Sequence, residues 1–169
     1  MTQLSLIDAG FLQIETPETP MHVGGLHIYQ LPEGGESSFV LELFKRFVSG
    51  QDFAPPFHQK LRYPLFKLGI PALVEDQDFD LNYHVRYCQL PQPGSMDQLL
   101  ALVSNLHESL LDQAYPLWEC HLVDGLEGHR FAIYFKMHHC ILDGVSGMRI
   151  LEKSIKESPT IYKLTLHRK

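Results

Sequence analysis

Phe131–Gly144, FAIYFKMHHCILDG, decides how this chain is read. From Phe131 to Lys136 the residues are aromatic or β-branched apart from Ala132 and Lys136 itself, the composition of a largely buried strand. Side chains alternate along a strand, so Phe131, Ile133, Phe135 and Met137 share one face. A strand that holds to its end adds His139 to that face and turns His138 to the other, with Ala132, Tyr134 and Lys136. The two adjacent histidines therefore meet different environments and are expected to do different jobs.

Imidazole titrates nearest neutrality, so a neutral ring at this point can accept a proton in catalysis. Asp143, four residues beyond His139, can fix a ring tautomer or pair with a cation, and Gly144 permits a turn that a Cβ would resist. The same residues also read as a buried, hydrogen-bonded histidine followed by an ordinary Asp-Gly turn. Adjacent strand residues diverge and cannot easily chelate one ion, so no metal is expected here. Cys140 reads as a small apolar residue rather than a thiol nucleophile.

The outward segments supply two further patterns. Pro116-Leu117-Trp118 stops a helix and opens a strand, Trp118 to Val123. A Gly-rich link from Asp124 to Gly128 then joins it to the histidine strand as a β-hairpin. Near the start, Leu4 to Leu26 reads LSLIDAGFLQIETPETPMHVGGL. Within it, Leu4 to Phe11 is expected to be a helical turn broken by Pro17 and Pro20. His22 to Leu31 is expected to be a strand, and Gly24-Gly25 marks a bulge or a close backbone approach.

His138-His139 through Asp143-Gly144 resembles the HHxxxDG motif of the CoA-dependent acyltransferase superfamily, which includes chloramphenicol acetyltransferases and peptide-synthetase condensation domains. Pro116-Leu117-Trp118-Glu119 resembles the PLW motif of bacterial wax ester synthase/diacylglycerol acyltransferases, and the opening segment resembles theirs. The resemblance implies an α/β fold: a chloramphenicol acetyltransferase-like half-domain with a mixed sheet and packed helices. Residues 1–159 would be the N-terminal half of such a domain, residues 160–169 a divergent basic tail, and the C-terminal half missing. It implies an acyl group moved from acyl-CoA, a co-substrate, to diacylglycerol or a long-chain alcohol, with no cofactor. His139 would be the general base, beside His138, with Asp143 and Gly144 holding the motif turn. Direct transfer is expected over an acyl-enzyme on Ser146. The alternatives are a truncated, non-catalytic fragment and a related condensation or acyltransferase domain with another acceptor. Where the family commonly has Arg, before Pro116, this chain has Tyr115.

At 169 residues with 44% hydrophobic and 20% charged positions, one domain with a sizeable core is expected. The net charge of −6 argues against nucleic acid as a partner. Three unspaced cysteines suit a reducing compartment. A cytoplasmic protein is expected, peripheral at most to a membrane or lipid-droplet surface, since no apolar run is long enough to span one.

The remaining elements follow from periodicity. Val40, Leu43, Phe44 and Phe47 recur at helical spacing behind Ser37 or Ser38 and ahead of Gly50. Asp52 to Leu73, rich in Pro and aromatics, reads as an irregular loop packed on the core. Tyr83 to Leu90 reads as a strand. Ser95 to Leu111 reads as a capped helix with Leu99, Leu102, Val103, Leu106 and Leu110 as its buried stripe, and His107 toward solvent. A last helix is expected from Val145 to Ile155.

Overall fold

The structure is a computed structural model that describes residues 1–34, 38–50, 55–65 and 69–141. Its centre is a four-stranded mixed sheet in the order β2-β7-β6-β5. These strands are β2 (His22–Gln30), β5 (Val85–Gln89), β6 (Trp118–Leu126) and β7 (Arg130–His138). The β2–β7 and β6–β7 pairs are antiparallel and β5–β6 is parallel. The mixed α/β architecture expected from the sequence is therefore present.

β7 is central because nearly every residue in it is buried, from Phe131 to His138. Phe131, Ile133, Phe135 and Met137 join Trp118, Cys120, Leu122 and Tyr29 in the larger hydrophobic cluster. Helix α2 (Phe39–Ser49) packs on that cluster through Val40 and Leu43, with Phe44 and Phe47 partly covered. Its N-cap residue is Ser38, whose hydroxyl makes no capping bond. On the opposite face, helix α4 (Met96–Glu108) lays Leu99 over Ala132, Val123, Leu126 and Leu90. Ser95 and Gln98 close a capping box at its start, satisfying two free N–H groups reciprocally. This helix ends before Leu110, which is exposed rather than part of the buried stripe.

The hairpin forms as expected but with a longer first strand. β6 continues past Val123 to Leu126 through an irregularity at Asp124-Gly125, where Gly125 has φ +80°. Gly94 packs so tightly beneath it that a Cβ there would meet the Gly125 carbonyl.

Three expectations are corrected. The stretch from Asp52 to Leu73 is not simply irregular. It contributes β3 (Gln59–Arg62) and the start of β4 (Ala72–Glu75), which pair with each other and with β1 (Thr2–Gln3) in a second, three-stranded sheet. Tyr83 and His84 are helical, in the short α3 (Leu81–His84), because Asp80 caps Asn82 N–H and starts a turn there. Helix α1 runs Leu6–Ile14, beyond the single turn expected, and Ser5 accepts from Asp8 N–H to cap it. Asp143, Gly144, Ser146, the helix expected from Val145 and the tail 160–169 lie outside the described residues.

Candidate active site

The histidine pair sits where β7 ends. The strand stops at His138, one residue short of the expectation, and residues 139–141 turn. The main chain here is tied on both sides. His138 N–H donates to Leu117 O at 3.0 Å, and His139 N–H donates to Met21 O at 2.9 Å. Leu117 belongs to the Pro116-Leu117-Trp118 segment, so that segment and the start of β2 hold the pair between them.

The two rings do meet different environments, as alternation requires. His138 is fully buried. Its Nδ1 accepts the Cys140 N–H at 3.0 Å, which leaves the proton of the neutral ring on Nε2. That Nε2 lies 3.2 Å from Glu15 Oε1, close enough for an ion pair but off the line of a hydrogen bond. Burial pushes the imidazole below its ordinary value, against the upward pull of the Glu15 carboxylate, and neighbouring His22 also lowers it. His138 is thus a neutral ring with both edges occupied.

His139 is half-buried. Its imidazole stacks on Phe11 of α1, with centroids 4.7 Å apart and planes 19° from parallel. Among the described residues, no hydrogen bond reaches either ring nitrogen. His139 is thus, among the described residues, the one of the two histidines whose ring nitrogens face no hydrogen-bond partner.

Glu15 is the site residue that motif reading of the histidine stretch passes over. Its side chain is 4% exposed, a burial that carboxylates seldom tolerate without partners. Oε1 accepts Met21 N–H at 3.1 Å, and Oε2 accepts Gln113 Nε2 at 3.4 Å. Tyr63 Oη donates in turn to Gln113 Oε1 at 2.5 Å. A polar chain therefore runs from Tyr63 through Gln113 and Glu15 to His138. Glu15 lies within the opening segment, between the helix and the prolines, with Gln13 and Glu18 close by, so composition alone does not single it out.

Behind the pair the buried polar groups continue along the same face of β7. Lys136, fully buried, donates to Leu106 O and Ser109 O at 2.8 Å each and lies 3.6 Å from Glu119 Oε2. These carbonyls are among those left free where α4 ends, and a cation suits that end of a helix. His22 Nε2 donates to His107 O at 2.6 Å, and burial lowers its pKa. Tyr134 Oη and His107 Nδ1 are 2.7 Å apart. His107 itself is exposed, as expected, although its ring and carbonyl are both engaged. Gly24 is a close approach: a Cβ there would lie 2.6 Å from Tyr134 Oη.

Trp118 anchors the other face. Its Nε1–H donates to Phe57 O at 2.7 Å, and its ring stacks on His84 at 4.6 Å. Pro116 and Leu117 bring it alongside Met137 in the β6–β7 register. Tyr115, just before them, stacks on Tyr83 at 4.0 Å. Cys140 is buried and its thiol is pushed up to about 12 by that burial, so it stays protonated and is no nucleophile. Among the described residues no group of three or more His, Cys, Asp or Glu is arranged to hold a metal ion.

The family model of the wax ester synthase/diacylglycerol acyltransferase catalytic domain matches residues 4–165. The chain belongs to this family. It is 42% identical over 161 residues to the O-acyltransferase WSD of Acinetobacter baylyi, covering 95% of this chain and 34% of that protein. The wax ester synthase/diacylglycerol acyltransferase of Marinobacter aquaeolei VT8 superposes with a TM-score of 0.84 at 41% identity, over 90% of this chain and 38% of the other. The first condensation domain of a calcium-dependent antibiotic synthetase gives 0.65 at 13% identity, over 92% and 37%, a likeness of fold alone. The chain spans about a third of the length of the curated relatives it matches.

Within the wax ester synthase/diacylglycerol acyltransferase family, the elements quoted from this sequence converge in space. The opening segment contributes Phe11, Glu15 and Met21, the Pro-Leu-Trp segment contributes Leu117 O, and all of them contact the His138-His139 step.

Proposed function

We propose that this chain carries the general base of an acyl-CoA-dependent O-acyltransferase that makes triacylglycerol or wax ester. His139 takes the proton of a diacylglycerol or long-chain alcohol hydroxyl as that oxygen attacks the acyl thioester. The new ester C–O bond forms, the C–S bond breaks, and the proton passes to the departing CoA thiolate. The carrying observation is the contrast between the rings: His138 is buried with both nitrogens facing partners, whereas His139 is accessible with its nitrogens open among the described residues. A base so placed contributes roughly 10²–10⁴ in rate. Asp143 and Gly144 would hold the turn after it. The thioester supplies the activated acyl group, so no cofactor is required.

The relatives' greater length supports a second half that completes the site. Among the described residues no helix is long and apolar enough to cross a membrane. Leu6, Ile7 and Ile14 are nevertheless exposed on α1, which supports a lipid or partner-half surface beside the site.

Free CoA release from palmitoyl-CoA, with hexadecanol or dioleoylglycerol as acceptor, tests the reading in this chain and in His139→Ala. Turnover that disappears in the variant supports it, and turnover that survives sinks His139 as the base. If neither turns over, the same pair is compared in chains extended to the relatives' full length.

A further inference from the structure

We infer that Phe11 is the positioning residue of the candidate base: its ring sets the plane of the His139 imidazole and restrains its rotation. The inference rests on the proposed role of His139 and extends it to a residue that donates and accepts no protons.

The geometry begins with how α1 is fixed. Ser5 caps its start, Ala9 is buried in the main cluster, and Leu12 packs against it. At its end, Glu15 takes the Met21 N–H, and Met21 O takes the His139 N–H. One residue thus links the end of α1 to the backbone of the base. Phe11 stands one helical turn before Glu15, so a single helix edge addresses both histidines, Phe11 to His139 and Glu15 to His138.

A near-parallel stack covers a π face and leaves the ring edge free. Both imidazole nitrogens lie in that edge, so Phe11 can hold the ring without occupying the atoms that move the proton. Such a support matters because His139 lies beyond the last residue of β7, where its backbone bond to Met21 O holds the chain but not the side-chain torsions. His138 is held by hydrogen bonding and burial. His139 has, among the described residues, its backbone bond to Met21 and the Phe11 stack. Misplacement of a catalytic group by about 1 Å can cost on the order of 10² in rate.

The test compares wild type, Phe11→Leu and Phe11→Tyr. Nuclear Overhauser contacts between the residue 11 ring and the His139 ring protons, assigned through His139→Ala, report the stack directly. These contacts and an upfield ring-current shift are expected in wild type and Phe11→Tyr. In Phe11→Leu the shift should vanish and the His139 side chain should average over rotamers. An unchanged Trp118 indole N–H resonance, which reports the bond to Phe57 O, controls for global unfolding. In whichever chain length turns over, Phe11→Leu should lower kcat about tenfold to 10²-fold with little change in KM, and Phe11→Tyr should restore most of it. His139 resonances unmoved in Phe11→Leu overturn the inference, as does a mobile ring with unchanged kcat. Activity that survives His139→Ala sinks the proposed base instead, and leaves the measured stack standing.

Discussion

The two faces of the central sheet differ along β7: one is apolar throughout, and the other turns polar toward the histidine end. On one, Phe131, Ile133, Phe135 and Met137 alternate into a cluster of aromatic and aliphatic side chains. On the other, Tyr134, Lys136 and His138 point the other way and are just as buried. Across the register they meet His22, Glu119 and His121, with Leu26 beside Tyr134, while Ala132 further back on the same face joins the smaller apolar cluster under α4. The first face is held by burial of apolar area, which is non-directional and forgiving of shape. The second depends on specific partners, since each buried polar group is costly unless paired. The polar face ends at His138, so the residue next to the candidate base stands on the less forgiving side of the sheet.

Lys136 is the most heavily partnered residue of the polar end of β7. Methionine is about as long as the lysine alkyl stem without the ammonium, so Lys136→Met mainly tests partners rather than volume. It would leave Leu106 O and Ser109 O without their donor and Glu119 without its cation, although His121 stays 3.2 Å from that carboxylate. Removing one member of such a buried set is expected to cost about 3–5 kcal/mol. Urea unfolding of the variant, read as a midpoint shift, measures it. Adding Glu119→Gln should recover part of the loss, because the orphaned charge goes with it. A midpoint within error of wild type would show that Lys136 is not held as described.

Proton uptake gives a smaller effect. Burial lowers the pKa of His22 and His138 on the polar face, and of His84 beneath Trp118. The unfolded chain binds these protons below about pH 6.5, whereas the folded protein resists them. Stability is therefore full above about pH 6.5 and falls as the pH drops through that value toward the depressed folded values. Each histidine contributes a slope on the order of 1.4 kcal/mol per pH unit within its window. Urea midpoints should be lower at pH 5.5 than at pH 7.5. A flat profile would mean that these rings are protonated as readily in the fold as outside it.

What the sequence disclosed follows the range of the interactions involved. The alternation from Phe131 to Met137, the Ser95–Gln98 cap and the Trp118-to-His138 hairpin are local patterns, and each is legible within a few residues. The three-stranded sheet is not. Gln59–Arg62 and Ala72–Glu75 are only four residues each, lie among prolines, and gain a third strand from Thr2 and Gln3 at the far end of the chain. Such short strands carry too little periodicity to stand out, and their pairing is entirely non-local. The histidine pair was likewise legible by alternation, but its supports were not. Glu15 and Phe11 lie more than a hundred positions upstream, and only folding shows that they touch the two rings.

The smallest expected effect tests the forgiving face. Met137 neighbours His138 in sequence, is 1% exposed and lies across from Trp118. Its side chain has nearly the volume of leucine and no partner to lose, so Met137→Leu should cost less than about 1.5 kcal/mol. The same variant should leave the His139 ring resonances in place, because the motif backbone is held by Leu117 O and Met21 O rather than by this side chain. Placed beside Lys136→Met, one position away along the same strand, it separates the two faces cleanly: swaps of similar length, opposite sides, and costs that differ by a few kcal/mol. Equal costs for the two would mean that packing volume, and not polar pairing, governs both faces of β7.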